Sequence, residues 1–595
     1  MAEWTPKLVV AAIDFGTTCT GYAYSLTENY KNRRLKIMNE QLWPGRSEIR
    51  GQAPTSILFK PDQTFHSFGF EAEKQYKHLA LFKKEKEWFF FKHFKMILHH
   101  TENLTLETDL ESANQRSMKA IVVFTAALKY VADHVYETIK RTHGYMDKSN
   151  IMWVLTVPAI WRDSAKMFMR KAAKEADIRG DQLLLAVEPE AAAIYCKELA
   201  IRIVDQHGRN FLKHFNPGEQ YIVADLGGGT VDVTVHEVTI DGKLKELHAA
   251  SGGPWGGTTV NNEFWKSIED AVGTETFAEF RLEDQLGWIE LDQEFEREKR
   301  SYGPKTEGTH TFRIPPFFIN RSKLNRADII CKKHDNSDNS IAVMQDHFVI
   351  HATKMKEYFD TAIDKIKGHI SKLLQKEELS KVSLIMLVGG FAESRVVQNK
   401  LRCCFEAKHV FVPPEASGSV LKGAVMFAHN PNIIAERISP WTYGVHTRKV
   451  FNKRVHDSGR KVTIGGKEYV NKAFDKYLEI GQSVVVGEDS PCHIYRLINS
   501  RDHLAFWKVY KSEKKDPLYC DDKGVDHIGD LVVKLPADKG ERNWKLELRM
   551  TCRGTELEAS VRATDTEYQF EEKTTLKFLR SDFDYELVPG DVFNE

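Results

Sequence analysis

Three glycine-containing turns carry the residues best suited to chemistry. The first, Asp14-Phe15-Gly16-Thr17-Thr18, follows the apolar run Leu8–Ile13. The second, Asp225-Leu226-Gly227-Gly228-Gly229-Thr230-Val231-Asp232, follows Tyr221–Ala224. Both read as apolar strand, Asp, apolar residue, Gly, Thr and a second apolar strand. Glycine lets the backbone turn tightly, so main-chain N–H groups and threonine hydroxyls can face phosphate oxygens. An aspartate at each strand end suits Mg²⁺, which takes oxygen ligands and keeps much of its water. Two such hairpins face to face would clamp a triphosphate and its metal. The third turn, Leu387-Val388-Gly389-Gly390, ends one strand and precedes a helix opening at Ser394, a geometry that admits close approach of a nucleoside. One glycine after a strand is most often only a turn; three, in this order, are far more specific. No Gly-x-x-x-x-Gly-Lys-Ser/Thr run and no Gly-x-Gly-x-x-Gly occurs, so neither a P-loop nor a dinucleotide fingerprint is supported.

The elements that must position these turns alternate. Up to about residue 430, short apolar strands such as Ile151–Val157 are followed by helical patterns such as Ala165–Ala176 and the spacing Val260, Phe264, Ile268, Val272. That alternation predicts an α/β architecture. From about residue 440 the period falls to two. Trp544, Leu546, Leu548, Met550 and Cys552 alternate with polar residues, Arg553-Gly554 turns, and Leu557, Ala559, Val561 and Ala563 alternate again. This predicts a β-hairpin within an all-β module. The division is therefore residues 1–430, a linker at 431–440 with two prolines, and 441–595. The aromatic cluster Trp88–Phe91 with Phe94 reads as core, and the polar stretch Cys331–Ser340 as a solvated loop.

Composition excludes several classes. The 595 residues hold 84 basic and 84 acidic side chains, which gives no reason to expect nucleic acid or an anionic membrane as partner. No run of apolar residues is long enough for a transmembrane helix, and the N-terminus lacks the features of a signal peptide. The eight cysteines are scattered, with no Cys-x-x-Cys pair. The expectation is a soluble cytoplasmic protein, with the nucleus also open to it.

Further stretches between the turns resemble the heat-shock protein 70 family, within the superfamily of actin and the sugar kinases. Thr156-Val157-Pro158-Ala159 with Asp163-Ser164 is similar to the family's Val-Pro-Ala-Tyr-Phe-Asn-Asp-Ser. Glu188-Pro189-Glu190-Ala191-Ala192-Ala193 resembles its Glu-Pro-Thr-Ala-Ala-Ala, and Glu296-Arg297-Glu298-Lys299-Arg300 its Glu-x-x-Lys-Arg. Gly390-Phe391-Ala392-Glu393-Ser394 and Ser439–Val445 look most like the divergent member 12 subgroup. The resemblance implies a two-lobed actin-like ATPase domain, a duplicated ribonuclease-H-like fold, followed by a sandwich-like β domain without a helical lid. It implies ATP or ADP with Mg²⁺ as cofactors. Gly16, Thr17, Thr18, Gly227, Gly228, Gly229 and Thr230 would hold phosphates. Asp14, Asp225 and Glu188 would organise the metal, through waters, and the attacking water. Glu296, Lys299, Arg300, Gly389 and Gly390 would line the adenosine. The family's catalytic lysine corresponds best to Lys95, with Lys92 as the alternative.

The chain departs from the family in ways that touch turnover. Cys19 stands where the family usually has Tyr, Lys166 replaces an arginine, and Thr258-Thr259 replace an acidic pair. Phe391-Ala392-Glu393 replaces Ser-Thr-Arg, which makes Arg395 the candidate to stack on adenine. In the β domain, Asp530–Leu535 and Thr555–Thr566 resemble the family's peptide-binding sandwich, whereas Lys449–Asn471 looks like an insertion, and the last strand is expected near residue 580. The functional expectation is a slow ATPase that engages protein clients or signalling partners through its β domain. A nucleotide-binding scaffold with little turnover is the alternative, and a small-molecule kinase is the third reading.

Overall fold

The computed structural model describes residues 7–594 apart from 40–42, 46–50, 200, 205–209, 214, 322–340, 498–503, 536–543, 554–555, 565–568 and 576–589. The loop expected at 331–340 and the turn at Gly554 lie outside the described residues.

Two sheets with the same wiring form the N-terminal part. In the first, Val9–Phe15 pairs antiparallel with Cys19–Leu26 and parallel with Ile151–Val157, which pairs parallel with Leu183–Val187. In the second, Gln220–Leu226 pairs antiparallel with Val231–Val238 and parallel with Leu384–Val388, which pairs parallel with His409–Phe411. Every residue of Ile151–Val157 and Gln220–Leu226 is buried, as continuous apolar strands covered on both faces must be. The repetition is the duplicated two-lobed α/β fold that the family resemblance implied.

The lobes meet through two equivalent helices, Glu188–Glu198 and Ser419–His429. Ala191, Ala192, Ala193, Val420, Ala424 and Val425 share one core. Small residues allow the close crossing: a side chain on Gly423 would run into the Ala191 carbonyl. Pro189 at the start of the first helix suits a position whose missing N–H has no helical partner to lose. The aromatic run is core from Phe89 on, with Phe89, Phe90, Phe91 and Phe94 buried, while Trp88 is half-buried against the cluster that holds Tyr76 and Phe90.

The segment 431–440 is more than a tether. After the single turn Pro431–Ile433, the strand Ile434–Ile438 joins the second lobe's sheet, parallel to Leu244–Gly253. Ser483–Val485, from the C-terminal module, then pairs antiparallel with Ile434–Ile438, so one seven-stranded sheet runs from the second lobe into the β module.

The module itself is a ten-stranded sheet assembly around Trp507, Trp544, Tyr495 and Leu546. The hairpin read from the sequence is present. Lys545–Arg553 pairs antiparallel with Glu556–Thr564, with Trp544, Leu546, Leu548 and Met550 turned inward. The position near 580 expected for the last strand lies outside the described residues; the last described strand is Gly590–Asn594. It pairs with His493–Leu497 on one side and touches Thr442–Val450 and Leu504–Ser512 on the other. Beyond residue 429 the described residues hold only single helical turns, at Pro431–Ile433 and Ser458–Arg460. Among the described residues no helix is long and apolar enough to cross a membrane.

Candidate functional site

The glycine turns lie where the lobes converge. In the first, Thr55 Oγ1 donates to the Gly16 carbonyl at 2.7 Å, fixing the turn, and Thr17 is buried against Met96. In the second, Gly227 N–H bonds to the Thr230 carbonyl at 3.0 Å. The carbonyls of Gly227, Gly228 and Gly229 accept from the N–H groups of Gly257, Thr258 and Gly256 at 3.0, 2.8 and 3.2 Å. A trans peptide points its N–H opposite its C=O, so the next N–H groups face away from that strap, an arrangement suited to an anion. A side chain on Gly228 would collide with Thr18, and one on Gly229 would come 2.7 Å from Thr17 Oγ1. Both positions need glycine because the two turns touch across the cleft.

Four carboxylates surround the junction. Asp14 and Asp225 end the equivalent strands, and Thr156 Oγ1 donates to Asp14 at 2.9 Å. Glu188 opens its helix and accepts from Lys95 Nζ at 2.8 Å, both side chains being almost fully buried. Lys95 Nζ also lies 4.9 Å from the centre of the Trp161 ring. Burial, then the Glu188 charge, pushes Asp14 up to about 6. Burial and the charges of Glu188, Asp232 and Asp14 hold Asp225 well above the usual carboxylate range, with Lys95 opposing. The structure thus brings together Asp14, Lys95, Glu188 and Asp225.

It adds Asp232. In the antiparallel hairpin Asp232 sits directly opposite Asp225, and it accepts the Ile160 N–H at 2.9 Å. Burial and Glu188 raise it to about 7. The signal was present in the motif: a seven-residue step around a tight turn puts the two aspartates in register on one face.

A buried set of acids held partly neutral by mutual repulsion is a site short of positive charge. Mg²⁺ fits that deficit. Among the described residues no three His, Cys, Asp or Glu side chains converge as direct ligands of one ion.

The helix Gln285–Ser301 supplies the residues expected around adenosine. Lys299 Nζ reaches Glu296 at 2.5 Å, Asn261 Oδ1 at 2.7 Å and the Gly257 carbonyl at 3.3 Å. Arg300 Nε bonds Glu296 at 2.8 Å. Burial would raise Glu296, but these two cations pull it down to about 2. Arg300 also reaches Cys19, whose thiol is pushed up by burial against that cation's pull. Gly389 has φ +84°, and a side chain there would strike the Asp225 carboxylate, so the third turn packs directly beneath the cluster. Gly390 begins the turn Phe391–Glu393. Arg395 is exposed at the start of the helix Arg395–Cys404, while Glu393 accepts the Ser417 N–H at 3.1 Å. Lys92, the alternative lysine, is placed elsewhere: it bridges the lobes, 2.6 Å from Asp292 and 3.8 Å from Glu73. Burial lowers its basicity, yet those two carboxylates more than reverse this and hold it above the usual lysine range.

This duplicated fold with paired glycine turns agrees with the family comparison. The Hsp70 protein family model matches residues 91–489, more than half of the chain. The chain belongs to the Hsp70 family. The matched span includes Lys95, Glu188, Asp225 and the third turn. Within the family, the chain is 32% identical over 597 aligned residues to heat shock 70 kDa protein 12A of Mus musculus, covering 91% of this chain and 87% of that protein. It is 31% identical to heat shock 70 kDa protein 12B of Homo sapiens, covering 96% and 91%. Similarity to the chaperone protein dnaK of Cyanidium caldarium is lower, 24% identity over 59% of this chain and 52% of that protein. These values support the atypical 12A/12B-like branch.

A physical link leaves the site. Glu190, two residues after Glu188 on the same helix, pairs through both oxygens with Arg437 of the strand Ile434–Ile438, with Nε at 2.8 Å from Oε1. Next to it, the Ile438 N–H donates to Glu246 at 2.8 Å. Burial and the Glu190 charge push Glu246 up to about 8.

Proposed function

We propose that this Hsp70-family protein binds ATP with Mg²⁺ between its two lobes, hydrolyses it slowly, and uses nucleotide state to govern protein partners engaged by its β module. The supporting observation is the ring of carboxylates, Glu188, Asp225 and Asp232 buried and Asp14 partly so, around Lys95 where two glycine turns meet. Backbone N–H groups of Gly228, Gly229 and Thr230 with the hydroxyls of Thr17 and Thr18 would bind phosphate oxygens. Asp14 and Asp225 would hold the metal's water shell. When bound, Mg²⁺ supplies charge neutralisation of the phosphates. Lys95, fixed by Glu188 and Trp161, would place positive charge at the transferring phosphoryl group. Asp232 and Glu188, with raised proton affinity at Asp232, would orient the attacking water and accept its proton. Lys299, Arg300 and Gly389 would border the nucleoside. The link from Glu188 through Glu190 to Arg437 offers the route by which phosphate occupancy reaches the module. A cytoplasmic setting goes with this reading.

Phosphate release from Mg-ATP by the purified chain, beside Asp225→Ala and Thr230→Ala, tests it. Turnover lost in both variants is the expected result. Tight binding without turnover above the variants would favour a nucleotide-gated scaffold. Absence of both binding and turnover would overturn the proposal.

A further inference from the structure

The insertion-like segment of the β module is a concentration of positive charge in an otherwise balanced chain. Residues 449–471 hold six lysines and arginines against two acidic residues, while the whole chain has 84 of each sign. Part of this charge is spent internally. Lys449 pairs with Asp475, Arg460 and Lys472 share Asp521, and Lys461 pairs with Glu468. Lys453, Arg454 and Lys467 are exposed and make no ion pair among the described residues.

The same segment ends a sheet. Lys461–Ile464 pairs with Lys467–Leu478 on one side only and is the outermost strand of the ten-stranded assembly. Its hairpin turns at Gly465-Gly466, both with positive φ, so only two residues separate the strands. In a two-residue hairpin the flanking pair, Ile464 and Lys467, exchanges hydrogen bonds, and pairs then alternate. Val462 therefore bonds inward to Tyr469, and the backbone groups of Lys461 and Thr463 point outward from the sheet. Sheet edges are commonly blunted by proline, a bulge, a covering element or charged side chains. Of these, only the charges of Lys461 and Lys467 guard Lys461–Ile464 in the described residues, and they repel a basic strand but not an acidic one. Beside this edge the loop after Val450 folds back: Phe451 N–H bonds the Glu468 carbonyl at 2.9 Å and Lys461 Nζ lies 5.7 Å from the Phe451 ring. This leaves Val450 and Val455 exposed at 63% and 51%. Val450 belongs to the strand on the far side of Lys467–Leu478, whereas the unpaired cations Lys453, Arg454 and Lys467, the exposed Val455 and the open edge all belong to one continuous stretch, residues 453–467.

We infer that this surface binds an extended, acidic segment of a partner protein, which adds as a strand to Lys461–Ile464. Backbone hydrogen bonds to the outward groups of Lys461 and Thr463 give the register. Carboxylates of the segment pair with Lys453, Arg454 and Lys467, and an apolar side chain covers Val455. The inference rests on the partner-binding role proposed for the module and names the chemistry of the partner.

The experiment measures fluorescence anisotropy of a labelled peptide alternating Glu and Val, with a Lys–Val peptide of equal length and phosphatidylserine vesicles as competitors. The full-length protein is used, and Mg-ATP binding is measured on the same samples. Saturable binding of the acidic peptide, weakened by salt and not competed by the basic one, is expected. Lys453→Glu with Arg454→Glu should weaken it at least about tenfold, the effect of losing two charge-assisted contacts. Thr463→Pro removes one outward N–H while leaving the inward pairing intact, and should weaken it by about tenfold as well. Binding unaffected by Thr463→Pro would overturn strand addition, and preferential displacement by the vesicles would assign the surface to a membrane. No peptide binding by protein that still binds Mg-ATP would overturn the inference alone, whereas loss of both would overturn the nucleotide reading too.

Discussion

Replacing Lys95 by alanine removes the ammonium that opposes four carboxylates, three of them buried and Asp14 partly so. In the wild-type protein Lys95 Nζ lies 2.8 Å from Glu188, with both side chains about nine-tenths or more buried. Asp14, Asp225 and Asp232 all feel its charge as a lowering influence against burial and one another. Breaking a buried ion pair by deleting one partner typically costs about 3–5 kcal/mol, because the remaining charge stays desolvated. That cost is greatest when the carboxylates are ionised. Asp14 and Asp232 have folded values of about 6 and about 7, above their unfolded value of 3.8, so ionising them opposes folding. The folded state then binds more protons than the unfolded state between about pH 4 and pH 7, and stability falls as pH rises through that window. Lys95→Ala should widen the fall. Its melting temperature should approach wild type near about pH 5 and drop furthest near about pH 8. Turnover should fall by about 10²–10³-fold, the scale for losing one preorganised charge at a reacting centre. Lys95→Met, which retains the stem beside Trp161, should behave like the alanine variant in turnover. The assays are thermal unfolding across pH and single-turnover phosphate release. A pH-independent stability loss, or wild-type turnover, would refute the reasoning.

Other perturbations separate site from scaffold. Gly389→Ala places a side chain at φ +84° against the Asp225 carboxylate, and should cost at least about 1 kcal/mol in chemical denaturation and weaken Mg-ATP binding in calorimetry. Glu246→Gln keeps an acceptor for the Ile438 N–H but removes a buried group whose folded value is about 8; raised above its unfolded value, it opposes folding as pH climbs from about 5 to about 9. The variant should match wild type at the acid end and be more stable, on the order of 2 kcal/mol, at the alkaline end of a pH series of melts. Lys92→Ala leaves Asp292 and Glu73 facing each other across the lobes, so it should lower stability by about 3 kcal/mol or more while changing the chemical step less than Lys95→Ala does.

The elements legible in the sequence were those with local signals. Strand–Asp–Gly–Thr patterns identified both hairpins because turn chemistry and apolar runs lie within a dozen residues. The two-residue period found Lys545–Arg553 and its partner for the same reason. Asp232 was within reach of that logic, since antiparallel register alone sets it opposite Asp225. Long-range partners were not. Lys92 and Lys95 share one short segment, and nothing local tells which faces Glu188 and which faces Asp292, 200 residues away. The prolines at 431 and 440 suggested a linker, yet they bracket a strand whose Arg437 finds Glu190 and whose edge is completed by Ser483–Val485. That pairing depends on tertiary docking of the β module, which no local pattern encodes. Arg395, chosen as a substitute for a missing arginine, is exposed at its helix start just past the tight turn Phe391–Glu393.

Calorimetric titration of the full-length protein with ATP, with and without Mg²⁺, and with Asp225→Asn beside it, tests the central claim most directly. Magnesium-dependent binding at one site, weakened in the variant, is the predicted result. Absence of binding, or binding indifferent to both the metal and Asp225, would contradict a nucleotide site between the lobes.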